Sequence, residues 1–244
     1  MIKFPVVPLC ERQLRDIRKE DILSGGLFRL CNVYKGGGGY DRFPAIAKKR
    51  LNLDTDRQFV VQLKGCPLRC TYCYVTPDGV NGAAVMVSVD TMLKAFNKQL
   101  EHGVNVFHLM GGAPALYIEN WSHLIHGLPL STIFHSDLML IEKDYSVVDL
   151  SALKEKHCLF AVSIKGNNPE EFFNKTKAKL DENLLWKNFD LIVEKGLNFY
   201  VTFTGIDPTE IREKIKQRYG DEILEDSFTI DLVEYEALKD RGST

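Results

Sequence analysis

Three cysteines crowd into "LKGCPLRCTYCYV" (63–75): Cys66, Cys70 and Cys73, spaced C-x3-C-x2-C. Thiolates this close can hold a metal. A structural zinc site takes four protein ligands, so zinc here needs a fourth from Cys10, Cys31, Cys158, His102 or His108. No second C-x2-C occurs in the chain. Iron–sulfur clusters are also held by cysteine thiolates, usually four of them. Three cysteines on a [4Fe–4S] cube leave one iron open to a small molecule. A fortuitous group of inert thiols is the third reading.

Other unusual residues stand apart from this loop. "MGGAP" (110–114) puts Gly111 and Gly112 before Ala113 and Pro114. A backbone that approaches a ligand closely has no room for side chains, and a strand-ending turn would use the same residues. "HSD" (135–137) supplies His135, Ser136 and Asp137, and "SIKG" (163–166) supplies Ser163 and Lys165. A lysine suits a carboxylate as a point charge. Thr202 and Thr204 alternate on one run and would share a strand face. His108 reads as a satisfied core or barrel-lining residue, and Cys10, Cys31 and Cys158 as structural.

The elements that must position these residues are legible as periodicity. Apolar runs at 58–64, 105–110, 131–136, 158–165, 197–204 and 228–235 read as strands. Helical patterns lie between them. Residues 88–103 carry Val89, Met92, Ala95, Phe96 and Leu100 on one face and end at Gly103. Residues 181–196 end at Gly196, and 207–220 open on an Asp cap with an early Pro and end at Gly220. Weaker helices fit 117–127 and 149–156. Strand–helix alternation implies parallel strands with crossover helices, either an open doubly wound sheet or a partial barrel. In both, function sits at the carboxyl ends of the strands. Cys66, "MGGAP", "HSD", "SIKG" and "TFTG" (202–205) each follow or close one strand. Residues 1–54 read as an N-terminal extension, with a short helix over 11–23 and a Gly-rich loop over 34–44; the barrel unit spans 55–244.

"CPLRCTYC" followed by "MGGAP" resembles the signature of the radical S-adenosylmethionine (SAM) superfamily. The resemblance implies a partial (β/α)6 TIM barrel over residues 55–235. It implies a [4Fe–4S] cluster on Cys66, Cys70 and Cys73 that binds SAM at its open iron. An electron from the cluster would cleave SAM to methionine and a 5′-deoxyadenosyl radical, which takes a hydrogen atom from substrate. Gly111, Gly112 and Pro114 match the family's usual Gly-Gly-Glu-Pro motif, while Ala113 stands in the Glu position and keeps only a backbone contact. The resemblance also places Tyr72 near the adenine, and Ser136, Asp137, Ser163 and Lys165 against SAM. Tyr74 would shield the cluster. "SIKGNNPEEFFNKT" (163–176) resembles the pyruvate formate-lyase activating enzymes, which place a radical on a glycine of a partner protein.

Three function classes follow: a glycyl-radical-enzyme activase with a protein substrate, a radical SAM enzyme acting on a small molecule, peptide or tRNA base, and a non-enzymatic zinc or redox module. The resemblance implies flavodoxin or ferredoxin as electron donor. A net charge of −2 on 244 residues gives no sign of a general nucleic-acid binder or membrane-surface protein, leaving a local basic patch open. The longest apolar run, "CLFAVSI" (158–164), is too short to span a bilayer. The N-terminal stretch, broken by Pro5 and Pro8, lacks the pattern of a secretory signal. Six cysteines are too few for a disulfide scaffold, which points to a reducing, cytoplasmic setting.

Overall fold

The computed structural model describes residues 1–9, 14, 17–32, 42–70, 72, 73, 75 and 80–230. All six predicted strands form: β4 (Arg57–Leu63), β6 (Val104–Gly111), β7 (Ile133–Leu138), β8 (Cys158–Ile164), β9 (Phe199–Thr204) and β10 (Phe228–Ile230). They lie side by side in the order β10-β9-β8-β7-β6-β4, every neighbouring pair parallel. The sheet does not close on itself, as a partial barrel requires.

Alternation sorts each strand into two faces. Phe59, Phe107, Phe134, Phe160 and Val201 point outward, into the main core. There they meet Phe96 of α2 (Val89–Asn97), Trp121 of α3 (Trp121–Ile125) and Phe189 of α5 (Glu182–Glu194). Ser88 caps α2 by accepting from Thr91 N at 3.2 Å, and Asp181 caps α5 by accepting from Leu184 N at 3.0 Å. After α2 a 3-10 turn runs to His102, and Gly103 ends it at φ 73°. The helix expected at 207–220 is α6 (Thr209–Tyr219), with Asp207 accepting from Thr209 N at 3.1 Å. The helix expected at 149–156 is a 3-10 turn over Ser151–Lys154. Helix α4 (Pro169–Thr176) was not foreseen.

The inner face has its own apolar cluster. Val106, Ile133, Leu159, Tyr200 and Phe228 pack on Phe43, Ile46 and Ala47 of α1 (Arg42–Leu51). That helix plugs the lumen from inside. Its position is a finding, since residues 34–44 were expected as loop; 33–41 lie outside the described residues.

The N-terminal segment is woven into the same sheet. β1 (Lys3–Val6) pairs antiparallel with β4 and with β5 (Val85–Ser88). β2 (Ile22–Leu23) pairs with β3 (Phe28–Asn32), and β3 pairs antiparallel with β4. The helix expected over 11–23 is replaced, in its described part, by a 3-10 turn at Lys19–Asp21 and then β2. Asp21 is buried there between Arg18 and Arg57, which holds the chain in the turn. The rest of that helix, Cys10, and the strand residues beyond 230 lie outside the described residues. Among the described residues no helix is long and apolar enough to cross a membrane.

Candidate functional site

The cysteine loop leaves β4 at its carboxyl end and is tied down on three sides. Gly65 N–H donates to Val80 O at 2.8 Å, Ala113 N–H donates to Gly65 O at 2.8 Å, and Arg69 N–H donates to Thr176 O at 2.7 Å. The Arg69 guanidinium also donates to the carbonyls of Cys66 (2.9 Å) and Leu68 (2.8 Å). The loop is therefore shaped by β6 and the end of α4 as much as by its own sequence. A Cβ on Gly112 would lie 2.0 Å from Gly65 O and 2.9 Å from Cys66 Cβ. Gly111 has φ 118°, a conformation that favours glycine. The double glycine thus seats the end of β6 against the cysteine loop.

Cys66, Cys70 and Cys73 line one cavity with Tyr72, Gly111, Gly112, Pro114, Asp137, Ser163 and Lys165. Lys165 Nζ stands 5.8 Å from the centre of the Tyr72 ring. No carboxylate pairs with Lys165 within 4 Å among the described residues. Burial pushes the Cys66 thiol up to about 11 and raises Cys70, with Lys165 pulling both back down. Burial also raises the Tyr72 hydroxyl. Asp137 is lifted by burial to about 6, again with Lys165 opposing. Ser163 Oγ lies 3.3 Å from Thr204 Oγ1, and Thr202 and Thr204 both line the cavity, as their alternation predicts.

Two expected ligand contacts are corrected. Ser136 is fully buried on the outer face, and its hydroxyl donates to Leu109 O at 3.1 Å. The period of two explains this: it turns His135 and Asp137 inward and Ser136 outward. Ala113 has its methyl in the outer core. Its N–H is committed to Gly65 O, and its carbonyl accepts from Leu116 N at 3.0 Å. Tyr74 lies outside the described residues. Alternation could also have found Gln58, Ala161 and Tyr200, which the sequence reading passed over and which line the same cavity. Phe43 and Phe228 carried no sequence signal for this place.

The donor set fits a cluster with one open iron. The three thiols are free and partly exposed to the cavity. Among the described residues no three His, Cys, Asp or Glu side chains converge as a single metal ion needs. Of the candidate fourth zinc ligands, His102 precedes β6 and Cys158 opens β8, so both lie at the opposite ends of their strands. Cys31 Sγ is instead the acceptor for Gln58 Nε2 at 3.2 Å. A cube that spreads its thiolates over separate irons asks for three cysteines and no fourth.

Comparison with known proteins gives the same answer. The chain is similar in fold to Streptococcus suis SuiB bound to S-adenosylmethionine, at 13% identity and TM-score 0.54, over 80% of this chain and 45% of that one. It is similar to anSMEcpe with bound AdoMet at 16% identity and TM-score 0.52, over 71% of this chain and 52% of that one. It is similar to TYW1 with a lysine-pyruvate adduct bound at 10% identity and TM-score 0.53, over 94% and 84%. The chain thus spans about half the length of anSMEcpe (52%) and SuiB (45%). At these identities the likeness is one of fold. Comparison with curated protein sequences gives no match. The sequence model of the radical SAM superfamily matches residues 60–218, from inside β4 through the cysteine loop to the end of α6. That match covers most of the 244 residues, and the chain therefore belongs to the radical SAM superfamily, whose members use a [4Fe–4S] cluster and SAM.

Proposed function

We propose that this chain holds a [4Fe–4S] cluster on Cys66, Cys70 and Cys73, binds SAM beside it, and removes a hydrogen atom from a substrate in the lumen. The observation that carries the reading is the convergence of three free thiols and a lysine without a carboxylate partner on one cavity, at the carboxyl ends of parallel strands. When bound, the cluster supplies the electron that splits SAM into methionine and a 5′-deoxyadenosyl radical.

The chain's own residues hold and shield. Lys165 is placed to receive the SAM carboxylate as a point charge. Asp137 accepts hydrogen bonds from amino or hydroxyl groups, and Ser163 offers a hydroxyl. Gly111, Gly112 and Pro114 form a side-chain-poor wall. Leu68, Val75, Val80 and Met139 give the cavity an apolar rim that excludes water from a reactive site. Electrons would come from a flavodoxin or ferredoxin, and the setting would be cytoplasmic.

The segment resembling glycyl-radical activating enzymes has a structural use here. Asn168 caps α4, and Asn167 binds Glu171, Asp207 O and Ile211 N. It therefore adds no support for a glycyl-radical partner, and a substrate taken into the lumen is the reading we favour.

The test is anaerobic. Reconstitution with iron and sulfide is expected to load about four irons per chain. SAM and dithionite should then yield 5′-deoxyadenosine. Cys66→Ala, Cys70→Ala and Cys73→Ala should each lose the cluster and the product. Any one of them cleaving SAM at the wild-type rate would overturn the assignment.

A further inference from the structure

Deeper in the same lumen, beyond the residues assigned to SAM, lies a pair of histidines. His108 on β6 and His135 on β7 are register partners, with ring centres 4.5 Å apart. Both are buried yet line the cavity, at 3% and 5% exposure. Their hydrogen-bond partners fix their tautomers. His135 Nδ1 lies 2.7 Å from Leu159 O, and a carbonyl only accepts, so Nδ1 carries the proton. His108 Nδ1 lies 2.7 Å from Gln58 Oε1. The orientation of that amide is set in turn, because Gln58 Nε2 donates to Cys31 Sγ at 3.2 Å. So His108 Nδ1 also carries the proton. Burial holds both rings neutral, with Arg29 and each other's proximity acting the same way on His108. Each Nε2 is then a bare lone pair. His108 Nε2 is buried and has no partner among the described residues. A buried acceptor left without a donor is costly, so it points to a ligand that brings one.

The walls say what shape that ligand has. Phe43 packs on His135 at 4.5 Å, Tyr200 stacks with His135 at 6.2 Å, and Phe228 stacks on Tyr200 at 5.7 Å. Flat rings on several sides suit a flat ring. A cation would be met by two uncharged imidazoles, and an anion would face bare lone pairs.

We propose that His108 and His135 form the substrate subsite and hold an uncharged planar heterocycle through its N–H donors, with Gln58 and Cys31 as positioning residues that set the His108 tautomer. This deepens the radical SAM reading and rests on it for the word substrate; the subsite itself does not depend on the cluster.

The probe is uracil, a flat neutral ring with two N–H donors, against 1,3-dimethyluracil, which has the same shape and none. Binding to the reconstituted protein is measured with and without SAM, alongside 15N spectra of the histidine rings. The expected result is uracil binding together with SAM, weakened about tenfold or more by N-methylation of the probe or by His108→Phe. The His108 Nε2 resonance should start at the position of an unprotonated ring nitrogen and shift on binding. Gln58→Leu should populate both His108 tautomers, which a merely structural glutamine would not do. Equal binding of the dimethyl compound, displacement of uracil by SAM, or no uracil binding up to its solubility limit would each overturn the proposal. Failure of SAM itself to bind would sink the cofactor reading instead, and uracil binding to the SAM-free protein would still decide the subsite.

Discussion

Gly112 faces the backbone of the cysteine loop so closely that even a methyl group has no place. In Gly112→Ala the new carbon would meet Gly65 O, a backbone atom that cannot swing away. We expect a stability loss of about 2–3 kcal/mol, as for overpacking, and a fall in iron retained after reconstitution, read by urea midpoint and iron assay. A variant as stable and as iron-loaded as wild type would show that the loop can yield. Lys165 acts on the same cavity by charge. It opposes the burial that lifts Asp137 to about 6, so Lys165→Met should raise that pKa further. The Asp137 carboxyl signal in a 13C titration reads this directly, and an unmoved midpoint would separate the two residues. The same variant should weaken SAM binding about tenfold while leaving iron content intact. At this scale the sequence was informative where chemistry is local. Three cysteines at that spacing announce a metal loop by themselves. Ser136 misled because a polar triplet was read as one motif, whereas the pleat of a strand separates its middle member from its neighbours.

Helix α4 shows how an element without an evident role can support the site. Its last residue, Thr176, offers the carbonyl that anchors Arg69 in the cysteine loop. Its first turn depends on Asn168, whose side chain accepts from Glu171 N at 3.0 Å. Asn168→Ala should cost about 1 kcal/mol of stability, the usual worth of such a cap, measured as a shift in the urea midpoint. No shift would mean that the Asn167 network holds the turn alone. The sequence disclosed the six parallel strands because each is an apolar run of ordinary strand length bounded by turn residues. It hid the N-terminal strands for the opposite reason. β1 is four residues with Pro5 inside it, and β2 is two residues, so neither carries a readable period. Their pairing with β4 and β5 is decided by tertiary contact. Helix α1 was hidden for a similar reason: it follows a glycine run, and its apolar side faces a lumen whose presence no local pattern reveals.

Across the whole molecule, the buried lumen groups oppose one another in pH. His135 has its pKa lowered to about 4 from 6.5. The unfolded chain therefore takes up the proton first, and His135 removes stability as pH falls from 6.5 towards 4. Asp137 has its pKa raised to about 6 from 3.8. The folded chain takes up that proton first, so Asp137 adds stability as pH falls from 6 towards 4. The two slopes offset each other. Asp137→Asn should leave the histidine slope exposed, and the urea midpoint of the variant should fall more steeply with acid than that of wild type. The difference should approach about 2 kcal/mol, discounted for the partial exposure of the carboxylate. Parallel curves would show that Asp137 titrates alike in both states. The contact between Gly65 and Gly112 has a consequence of the same global kind. It makes the loop that carries the thiols and the strand end that borders the SAM cavity one mechanical body. Whatever orders one orders the other, so part of the conformational entropy lost when iron is loaded need not be lost again when SAM arrives. Linkage makes the effect mutual: iron must tighten SAM by the same factor by which SAM tightens iron.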